Sequence, residues 1–357
     1  MTHPEALQQL QELIKTALPL TVRAGGSKSA LSGAGKLDMS ELSGVSEYNP
    51  QEYTFTALAG TPLAEVSALL GGEGQFLPFD PPFAEAGATL GGTVAAGLSG
   101  PGRYRYGGVR DFLLGVTLVN GLGDVVRGGG KVVKNAAGFD FPKLMVGSLG
   151  QFGVMTELTF KVFPAPESYA TLQFGAADVA QANALLQMLA RSGFEPYALE
   201  LLPPNRVLAR FGGSAEALAP RLERVQALAG AAERVLTGAA EAQLWQQANA
   251  FSWLPDAHAL VKIVHSPAQL TGLEGDIADL PHRYSVGGNS CYLAWPSARP
   301  VSELDALLVR HKLSGLRLTG PCASPQLGAR VGGAFLERVL RVFDPEDIFS
   351  KDVTHAA

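Results

Sequence analysis

The sequence contains little cysteine and histidine. Its 357 residues include two cysteines, Cys291 and Cys322, and six histidines without an i,i+4 or His-x-His pair. Two cysteines are too few for a disulfide framework, a zinc cage or an iron–sulfur cluster built from this chain alone. Scattered histidines are more typical of surface and core positions than of a metal centre, although four between residues 258 and 311 could still meet in space. We therefore predict no metal site.

Positive charge and long apolar runs are scarce as well. The formal net charge of −5 argues against a surface that binds nucleic acid irrespective of sequence. No apolar run is long enough to span a membrane, and the first 20 residues lack the basic region and apolar core of a signal peptide. We expect a cytoplasmic protein that associates with a membrane only through partners. Its length favours two domains.

Two familiar motifs are absent. Gly128-Gly129-Gly130-Lys131 is followed by Val132, where a phosphate-binding P-loop requires Ser or Thr. The glycines around Ser99 and Ser148 do not have the spacing of a nucleophile elbow. A nucleoside triphosphatase and a serine hydrolase are therefore disfavoured.

Glycine is plentiful, and it is concentrated in the front half. Residues 88–157 begin with Ala-Thr-Leu-Gly-Gly-Thr and end with Gly-Ser-Leu-Gly-Gln-Phe-Gly-Val-Met-Thr-Glu, and a strand at 20–23 runs into Ala24-Gly25-Gly26-Ser27-Lys28-Ser29. Such loops let a backbone approach a ligand closely and turn its N–H groups towards an anion. An ordinary glycine-rich turn is the alternative for the first loop. The pattern favours a site for a large anionic cofactor.

The remaining front half predicts alternating helices and strands. We expect helices at 1–18, 62–70, 89–96 and 139–145, strands at 53–59 and 154–163, and a hairpin of 112–119 with 124–127 across Asn120-Gly121. Thr61 is predicted to cap the second helix with Pro62 at its first position. Residues 71–82 and 98–108 are expected to be loops because of their Gly and Pro content.

After Pro166 the composition changes to long Ala, Leu and Gln runs. These predict helices at 180–192, 215–228 and 241–251, with strands at 259–264 and 291–295, and a last helix at 331–343. This order indicates an α+β second domain.

Cations lie near the glycine clusters. They are Arg103, Arg105, Lys131, Lys134 and Lys143. They could hold a phosphate or carboxylate, and a solvated basic face is the alternative. The two arginines alternate with Tyr104 and Tyr106, whose rings offer planar partners.

Several of these motifs together resemble a known family. They are Arg23-Ala24-Gly25-Gly26-Ser27-Lys28, Ala88-Thr89-Leu90-Gly91-Gly92-Thr93, Tyr106-Gly107-Gly108-Val109-Arg110-Asp111, Lys134-Asn135-Ala136-Ala137-Gly138-Phe139-Asp140 and the segment 146–157. The combination resembles the FAD-binding domain of the vanillyl-alcohol oxidase and p-cresol methylhydroxylase (PCMH) superfamily. Pro78-Phe79-Asp80-Pro81-Pro82 and Met145-Val146-Gly147-Ser148 resemble the glycolate oxidase branch. The similarity covers roughly residues 20 to 165.

The resemblance implies an α+β fold with a two-part PCMH-type FAD-binding domain at 1–165, an α+β cap domain at 166–325, and a C-terminal helix at 326–357 that returns to the first domain. It implies pyrophosphate contacts from 24–29, ribityl and flavin contacts from 89–93 and 98–107, and adenine-side contacts from 147–156. The expected FAD-binding residues are Ala24, Gly25, Gly26, Ser27, Lys28, Ser29, Pro78, Thr89, Gly91, Gly92, Thr93, Gly97, Ser99, Gly100, Arg103, Tyr106, Gly107, Gly147, Gly150, Gly153, Val154 and Thr156. Because no His or Cys lies between Pro4 and Leu254, we expect FAD to be bound non-covalently.

The function implied by the resemblance is oxidation of glycolate to glyoxylate by hydride transfer to the flavin. Arg103 and Arg105 are the candidates for binding the substrate carboxylate or stabilising negative charge on the flavin. Partners are expected to be a larger flavin-containing subunit and an iron–sulfur subunit, since this chain has no cluster ligands of its own. Self-sufficient relatives carry a closely spaced pair of histidines that this chain lacks. An FAD-containing electron relay or scaffold subunit is therefore the alternative, and a binding module without flavin is a third.

Overall fold

The computed structural model of the chain describes residues 3–16, 19–32, 37–130, 140–321, 324–330 and 332–349. Within these ranges the helices are α1 (His3–Thr16), α2 (Ser29–Ser32), α3 (Leu63–Gly72), α4 (Leu90–Ala96), α5 (Arg103–Tyr106), α6 (Val109–Phe112), α7 (Phe141–Met145), α8 (Val179–Arg191), α9 (Ala215–Ala229), α10 (Gly238–Ala250), α11 (Pro267–Ile277), α12 (Val301–Arg310) and α13 (Gly333–Phe343). None of these helices has the length and apolar character needed to cross a membrane.

The strands of the same ranges are β1 (Val22–Arg23), β2 (Leu37–Asp38), β3 (Val45–Asn49), β4 (Thr54–Leu58), β5 (Gln75–Phe76), β6 (Leu113–Val119), β7 (Val125–Gly129), β8 (Val154–Lys161), β9 (Phe163–Pro164), β10 (Ser168–Gly175), β11 (Ala198–Leu202), β12 (Arg206–Gly213), β13 (Arg234–Thr237), β14 (His258–Val264), β15 (His282–Ser285), β16 (Ser290–Pro296), β17 (Ser314–Arg317) and β18 (Gln326–Gly328). The mixed α+β class predicted from the sequence is confirmed.

The front half is built on a five-stranded antiparallel sheet in the order β3-β4-β8-β6-β7. Its central strands are rich in β-branched and aromatic residues, which pack well on a pleated surface. Phe55 of β4 stacks on Phe160 of β8, with ring centroids 5.6 Å apart, and both side chains are almost fully buried. The sheet therefore supplies a rigid base for the glycine-rich segments.

The back half contains a nine-stranded sheet in the order β13-β10-β12-β11-β15-β16-β14-β17-β18. Helices α8, α9, α11 and α12 bury their leucines in a core with one face of this sheet. The opposite face meets the front half. Leu260, Tyr292 and Leu318 belong to the same apolar cluster as Leu90, Val94 and Leu98. Hydrogen bonds also join the halves, including one from the hydroxyl of Tyr292 to the carbonyl oxygen of Ser99 at 3.3 Å.

Most local predictions hold, and three are wrong. Pro62, rather than Thr61, occupies the N-cap position of α3, because the Thr61 hydroxyl donates to the carbonyl oxygen of Leu58 at 2.7 Å instead of capping the helix. The predicted loop at 98–108 contains the short helix α5, and the predicted loop at 71–82 contains β5, which pairs with β9. In both segments long-range contacts supply the order that local composition does not.

A buried ion pair lies inside the second sheet. Arg210 of β12 binds both carboxylate oxygens of Glu241 in α10, at 2.7 and 3.2 Å, and their side chains are 10% and 2% exposed. Thr171 donates to the same carboxylate at 2.9 Å, and the Arg210 guanidinium lies 4.0 Å from the ring centre of Tyr169. Removal of one partner would leave the other charge buried with much weaker compensation.

We expect Glu241→Ala to lower the free energy of unfolding by about 3–5 kcal/mol, because Arg210 then loses both hydrogen bonds to Glu241 and keeps the Asp80 carboxylate, 4.0 Å away, as a more distant counter-charge. Glu303→Ala is the matched control. Glu303 is 50% exposed and pairs with Arg299, which precedes α12, so its loss should cost no more than about 0.5 kcal/mol. Urea unfolding of the two variants measures both values, and equal losses would contradict the assignment.

Candidate functional site

A cleft lies where the glycine-rich segments converge, and we call it the glycine cleft. It encloses about 730 Å³ of empty space, part of which is open to solvent. Its lining residues are Val22, Arg23, Ala24, Gly25, Gly26, Ser27, Lys28, Leu31, Met39, Ala59, Thr89, Gly91, Gly92, Ala95, Ala96, Leu149, Gly150, Gly153 and Met155.

Two glycines allow the walls of the glycine cleft to pack closely. A Cβ on Gly25 would lie 1.8 Å from the carbonyl oxygen of Gly87, and a Cβ on Gly91 would lie 2.9 Å from the carbonyl oxygen of Ala59. Any larger residue would push the loops apart. Glycine at these two positions is therefore a steric requirement of the cleft.

Two buried hydroxyls near the cleft have no hydrogen-bond partner within the described ranges. They are Thr93 Oγ1, which directly follows the lining residue Gly92, and Ser148 Oγ, which directly precedes Leu149. The segments that carry them touch, since the amide of Gly147 donates to the carbonyl oxygen of Val94 at 2.9 Å. Buried hydroxyls are nearly always paired, so both are available to a bound group.

Lys28 places a positive charge on the wall of the glycine cleft. Its side chain is 7% exposed, and its ammonium lies 3.0 Å from the hydroxyl of Ser27 and 5.6 Å from the ring centre of Phe83. Burial lowers the pKa of Lys28 to about 8 because the charged form loses hydration.

The predicted cofactor residues fall into three groups. Ten of them line the glycine cleft, namely Ala24, Gly25, Gly26, Ser27, Lys28, Thr89, Gly91, Gly92, Gly150 and Gly153. Ser29, Thr93, Gly97, Gly147, Val154 and Thr156 adjoin these residues without lining the cleft. Pro78, Ser99, Gly100, Arg103, Tyr106 and Gly107 lie away from the lining, where the front half meets the second sheet. Lys131 and Lys134 lie outside the described residues, and Lys143 pairs with Asp140 at 2.5 Å.

Asp80 connects the third group, which lies away from the lining, to the second sheet. Its carboxylate accepts a hydrogen bond from the amide of Gly102 at 3.0 Å and another from the hydroxyl of Tyr197 at 3.0 Å, and Arg210 lies 4.0 Å away. Burial raises the pKa of Asp80 to about 6, and the charge of Arg210 opposes this effect only in part. Asp80 thus connects the segment 98–107 to the sheet through groups distant in sequence.

The two candidate arginines have different surroundings. Arg105 forms an ion pair with Glu195 at 2.8 Å, so its charge is already offset. Arg103 makes no side-chain hydrogen bond or ion pair with any residue the structure describes. Its guanidinium stands next to Gly108.

Lys262 is a residue that sequence reasoning missed. It lies in β14, opposite Tyr292 of β16 and two residues after Leu260, on the sheet face that packs against the front half. Burial, followed by the nearby charge of Arg103, lowers the pKa of Lys262 to about 8. Within the described part of the chain it has no acidic partner. The signal was a single lysine inside the apolar strand Leu260-Val261-Lys262-Ile263.

The cleft suits the FAD that the resemblance implies. Its glycine loops allow main-chain groups to lie close to a ligand, and the buried ammonium of Lys28 complements a diphosphate. The buried hydroxyls of Thr93 and Ser148 can hydrogen-bond to a bound group. Among the residues that the structure describes, no cluster of three or more His, Cys, Asp or Glu side chains could hold a metal ion.

The raised pKa of Asp80 predicts an unusual dependence of stability on pH. The folded chain holds the Asp80 proton more tightly than the unfolded chain, so protonation of Asp80 adds to the free energy of unfolding. This added stability is complete below about pH 4 and is lost as the pH rises through about 6. Each unit of difference between the pKa values of Asp80 in the folded and unfolded chain corresponds to about 1.4 kcal/mol, which gives a maximum stabilisation of about 3 kcal/mol. Relative to Asp80→Asn, the wild type should therefore lose stability between pH 4 and pH 7 in urea titrations.

Asp276→Asn is the control for this measurement. A hydrogen bond from His311 lowers the pKa of Asp276, so its contribution should be small and of opposite sign. A difference between wild type and Asp80→Asn that does not change with pH would contradict the prediction.

Known proteins provide the remaining evidence. Residues 1–129 match the family described as FAD binding domain. The chain is 42% identical over 170 residues to glycolate oxidase subunit GlcE of Escherichia coli (strain K12). The aligned region covers 47% of this chain and 49% of that protein. It is 34% identical over 128 residues to glycolate oxidase subunit GlcD of Bacillus subtilis (strain 168), covering 36% and 27% respectively. The matched regions thus span half or less of these curated relatives.

The fold also matches a solved structure. An alkyldihydroxyacetonephosphate synthase superposes with a TM-score of 0.72 at 16% identity, covering 99% of this chain and 75% of that one. At this identity the likeness concerns the fold alone. The match of residues 1–129 and the identity to a GlcE subunit confirm the resemblance seen in the sequence and support FAD as the cofactor.

Proposed function

We propose that this chain is the FAD-binding subunit of a glycolate oxidase or dehydrogenase complex and oxidises glycolate, a 2-hydroxy acid, to glyoxylate. The observation that carries the proposal is the combination of the glycine cleft with two cations, Arg103 and Lys262, that lack acidic partners within the described ranges. The chain that contains them is 42% identical over 170 residues to a GlcE subunit. When bound, FAD supplies the hydride acceptor.

The glycine cleft is the proposed site of the non-covalently bound cofactor. Residues 24–29 face the pyrophosphate, and Thr89, Gly91, Gly92 and Thr93 face the ribityl chain and flavin. The adenine side is assigned to Gly147, Gly150, Gly153, Val154 and Thr156. Pro78, Gly97, Ser99, Gly100, Arg103, Tyr106 and Gly107 are proposed to surround the far end of the ring. The closeness of Ser99 to Tyr292 on the second sheet supports this last assignment.

The substrate carboxylate is assigned to Arg103 and Lys262. Arg103 is the better suited of the two predicted arginines, because Arg105 is already paired with Glu195. Lys262 shares the neighbourhood of Arg103, whose charge lowers its pKa. Two adjacent cations without acids repel each other, and a carboxylate between them removes that repulsion. These residues would hold and orient the acid so that its α-carbon faces the flavin.

The proposed organisation assigns 1–165 to the FAD domain, 166–325 to the cap and 326–357 to a returning C-terminal segment. The change of sheet between Pro164 and Ser168 supports the first boundary, and the packing of Leu336, Val339 and Leu340 on the front core supports the last. The proposed partners are a larger flavin-containing subunit and an iron–sulfur subunit, in the cytoplasm. The word subunit in the names of the GlcE and GlcD relatives supports a complex.

Anaerobic addition of glycolate to the FAD-loaded complex, and to this chain alone, tests the reaction. We expect the flavin absorbance of this chain to bleach. Lys262→Met and Arg103→Met should each raise the glycolate concentration for half-bleaching about 10- to 100-fold, because each removes a charged hydrogen bond of about 1.5–3 kcal/mol. Arg105→Met is the control and should change this concentration less than threefold. Equal effects of all three variants would contradict the assignment of the carboxylate.

A second function has one observation in its favour. The described residues include no cluster that could hold a metal ion against a substrate, which is compatible with an electron-relay or scaffold subunit. In that case glycolate would leave the flavin of the isolated chain oxidised while dithionite reduces it. The same anaerobic titration therefore distinguishes the two functions.

The proposed partners can be tested by isolating the tagged chain from its native cells. We expect it to copurify with a second, larger flavoprotein and with an iron–sulfur protein that shows the broad visible absorbance of a cluster. Recovery of the chain alone after mild crosslinking would contradict the proposed complex.

A further inference from the structure

A second cavity lies where α5 meets α9 and the loop between α8 and β11, and we call it the arginine pocket. It encloses about 940 Å³ of empty space, part of which is open to solvent. Its charged lining residues are Arg105 of α5, Glu195 of the loop, and Arg221 and Arg224 of α9. None of the described residues that line it also lines the glycine cleft. The pocket is therefore separate from the cofactor site.

Positive charge in the arginine pocket exceeds negative charge. Three guanidinium groups and one carboxylate give the described lining a net charge of +2. Glu195 is 59% exposed and pairs with Arg105 at 2.8 Å, whereas neither Arg221 nor Arg224 forms an ion pair with a carboxylate among the described residues. The whole chain has a formal net charge of −5, so this local excess is opposite in sign to the overall charge.

Backbone carbonyl groups hold the Arg221 guanidinium in place. Its Nε donates to the carbonyl oxygen of Phe194 at 3.0 Å, Nη2 donates to that of Glu195 at 2.8 Å, and Nη1 donates to that of Gly212 at 3.3 Å. The ring centre of Phe211 lies 5.1 Å from the guanidinium carbon. These uncharged partners fix the orientation of the guanidinium without cancelling its charge. The wall of the pocket thus presents a preoriented cation.

Arg224 supplies the hydrogen-bond donors that Arg221 has largely used. It is exposed, and within the described ranges its side chain donates only from Nε, to the carbonyl oxygen of Pro220 at 3.4 Å. It follows Arg221 by three residues on the same face of α9. Burial, and then the charges of Arg105 and Arg224, lower the pKa of Arg221. An anion among the three guanidinium groups would remove their mutual repulsion.

We propose that the arginine pocket is a second anion site, which binds a small oxyanion with two negative charges, a phosphate monoester or a dicarboxylate. Two negative charges would balance the net charge of +2 on the lining. Guanidinium groups suit both anions because they donate pairs of parallel hydrogen bonds to phosphate and carboxylate oxygens. The site differs from the proposed substrate site, since Arg103 and Arg105 are two residues apart in α5 and side chains at that spacing do not face each other.

Calorimetric titration of the full-length, FAD-loaded chain tests this site, because bound FAD occupies its own phosphate site. The titrants are inorganic phosphate and succinate, with acetate as a monovalent comparison. We expect one site with a dissociation constant of about 1 mM or lower for at least one of the two divalent anions, and weaker binding of acetate. Raising the ionic strength from about 0.01 M to about 0.1 M should weaken binding, because the screening length falls from about 30 Å to about 10 Å.

Matched variants locate the anion. Arg224→Met should weaken binding of the preferred anion about tenfold, because it removes a charged hydrogen bond. Arg338→Met is the control, since Arg338 is also exposed and its Nε also donates to the carbonyl oxygen four residues earlier, that of Ala334, at 3.2 Å. Arg338 does not line the pocket, so this variant should bind like wild type. Arg103→Met should bind like wild type as well.

Each outcome supports or overturns the second anion site. Tighter binding of phosphate identifies a phosphate monoester as the ligand class, and tighter binding of succinate identifies a dicarboxylate. Absence of binding by wild type overturns the site, and so does an equal loss in Arg338→Met and Arg224→Met. A loss in Arg103→Met as large as that in Arg224→Met places the anion at the proposed substrate site and also overturns it.

A further variant guards against misfolding of Arg224→Met. Arg224→Lys keeps the charge but lacks the planar fork, so it should bind more weakly than wild type and more tightly than Arg224→Met. Wild-type affinity in both variants would overturn the role of Arg224. The second anion site does not depend on the proposed function. A chain that takes up no FAD but shows these affinities overturns the proposed function alone.

Discussion

The structure depends on a close approach of backbone segments that only glycine permits. Gly25 meets Gly87, and Gly91 meets Ala59, at distances where a Cβ would collide with a carbonyl group. These contacts fix the separation of the first loop from α4 and from the five-stranded sheet beneath. The cleft between them is therefore a property of the backbone, held in place by a core of large aromatic side chains such as Phe55 and Phe160.

Charge is distributed in two ways in the molecule. In the interior of the second sheet, Arg210 with Glu241 and Arg283 with Glu200 are neutralised by close partners, which is the usual condition for buried ions. Where the front half meets the second sheet, Arg103 and Lys262 have no acidic partner among the described residues, and Lys28 places a further buried cation on the wall of the glycine cleft. Positive charge concentrated where small anions would bind is a functional pattern, since it costs stability unless a ligand compensates it.

The sequence was sufficient for features that depend on local chemistry. The glycine loops, the hairpin after Val119 and the helix that begins after Thr89 are encoded by neighbouring residues, and the structure has them in place. Features that depend on partners distant in the sequence could not be predicted from it. Asp80 gains its role from Tyr197 and Arg210, more than a hundred residues away, and Lys262 gains its role from Arg103. Seven strands of the second sheet were missed because pairing across the sheet, rather than alternation within each strand, holds them in place.

The common core of the two halves has a further consequence. Leu260, Tyr292 and Leu318 are buried among side chains of the front half, although Leu260 and Tyr292 belong to strands of the second sheet and Leu318 directly follows β17. Neither half can bury its apolar surface fully when the other is absent. The front half expressed without the back half would therefore expose the apolar surface that packs against these three residues. Polar substitutions at these three positions of the back half would accordingly leave apolar surface of the front half uncovered, because the same side chains pack in both.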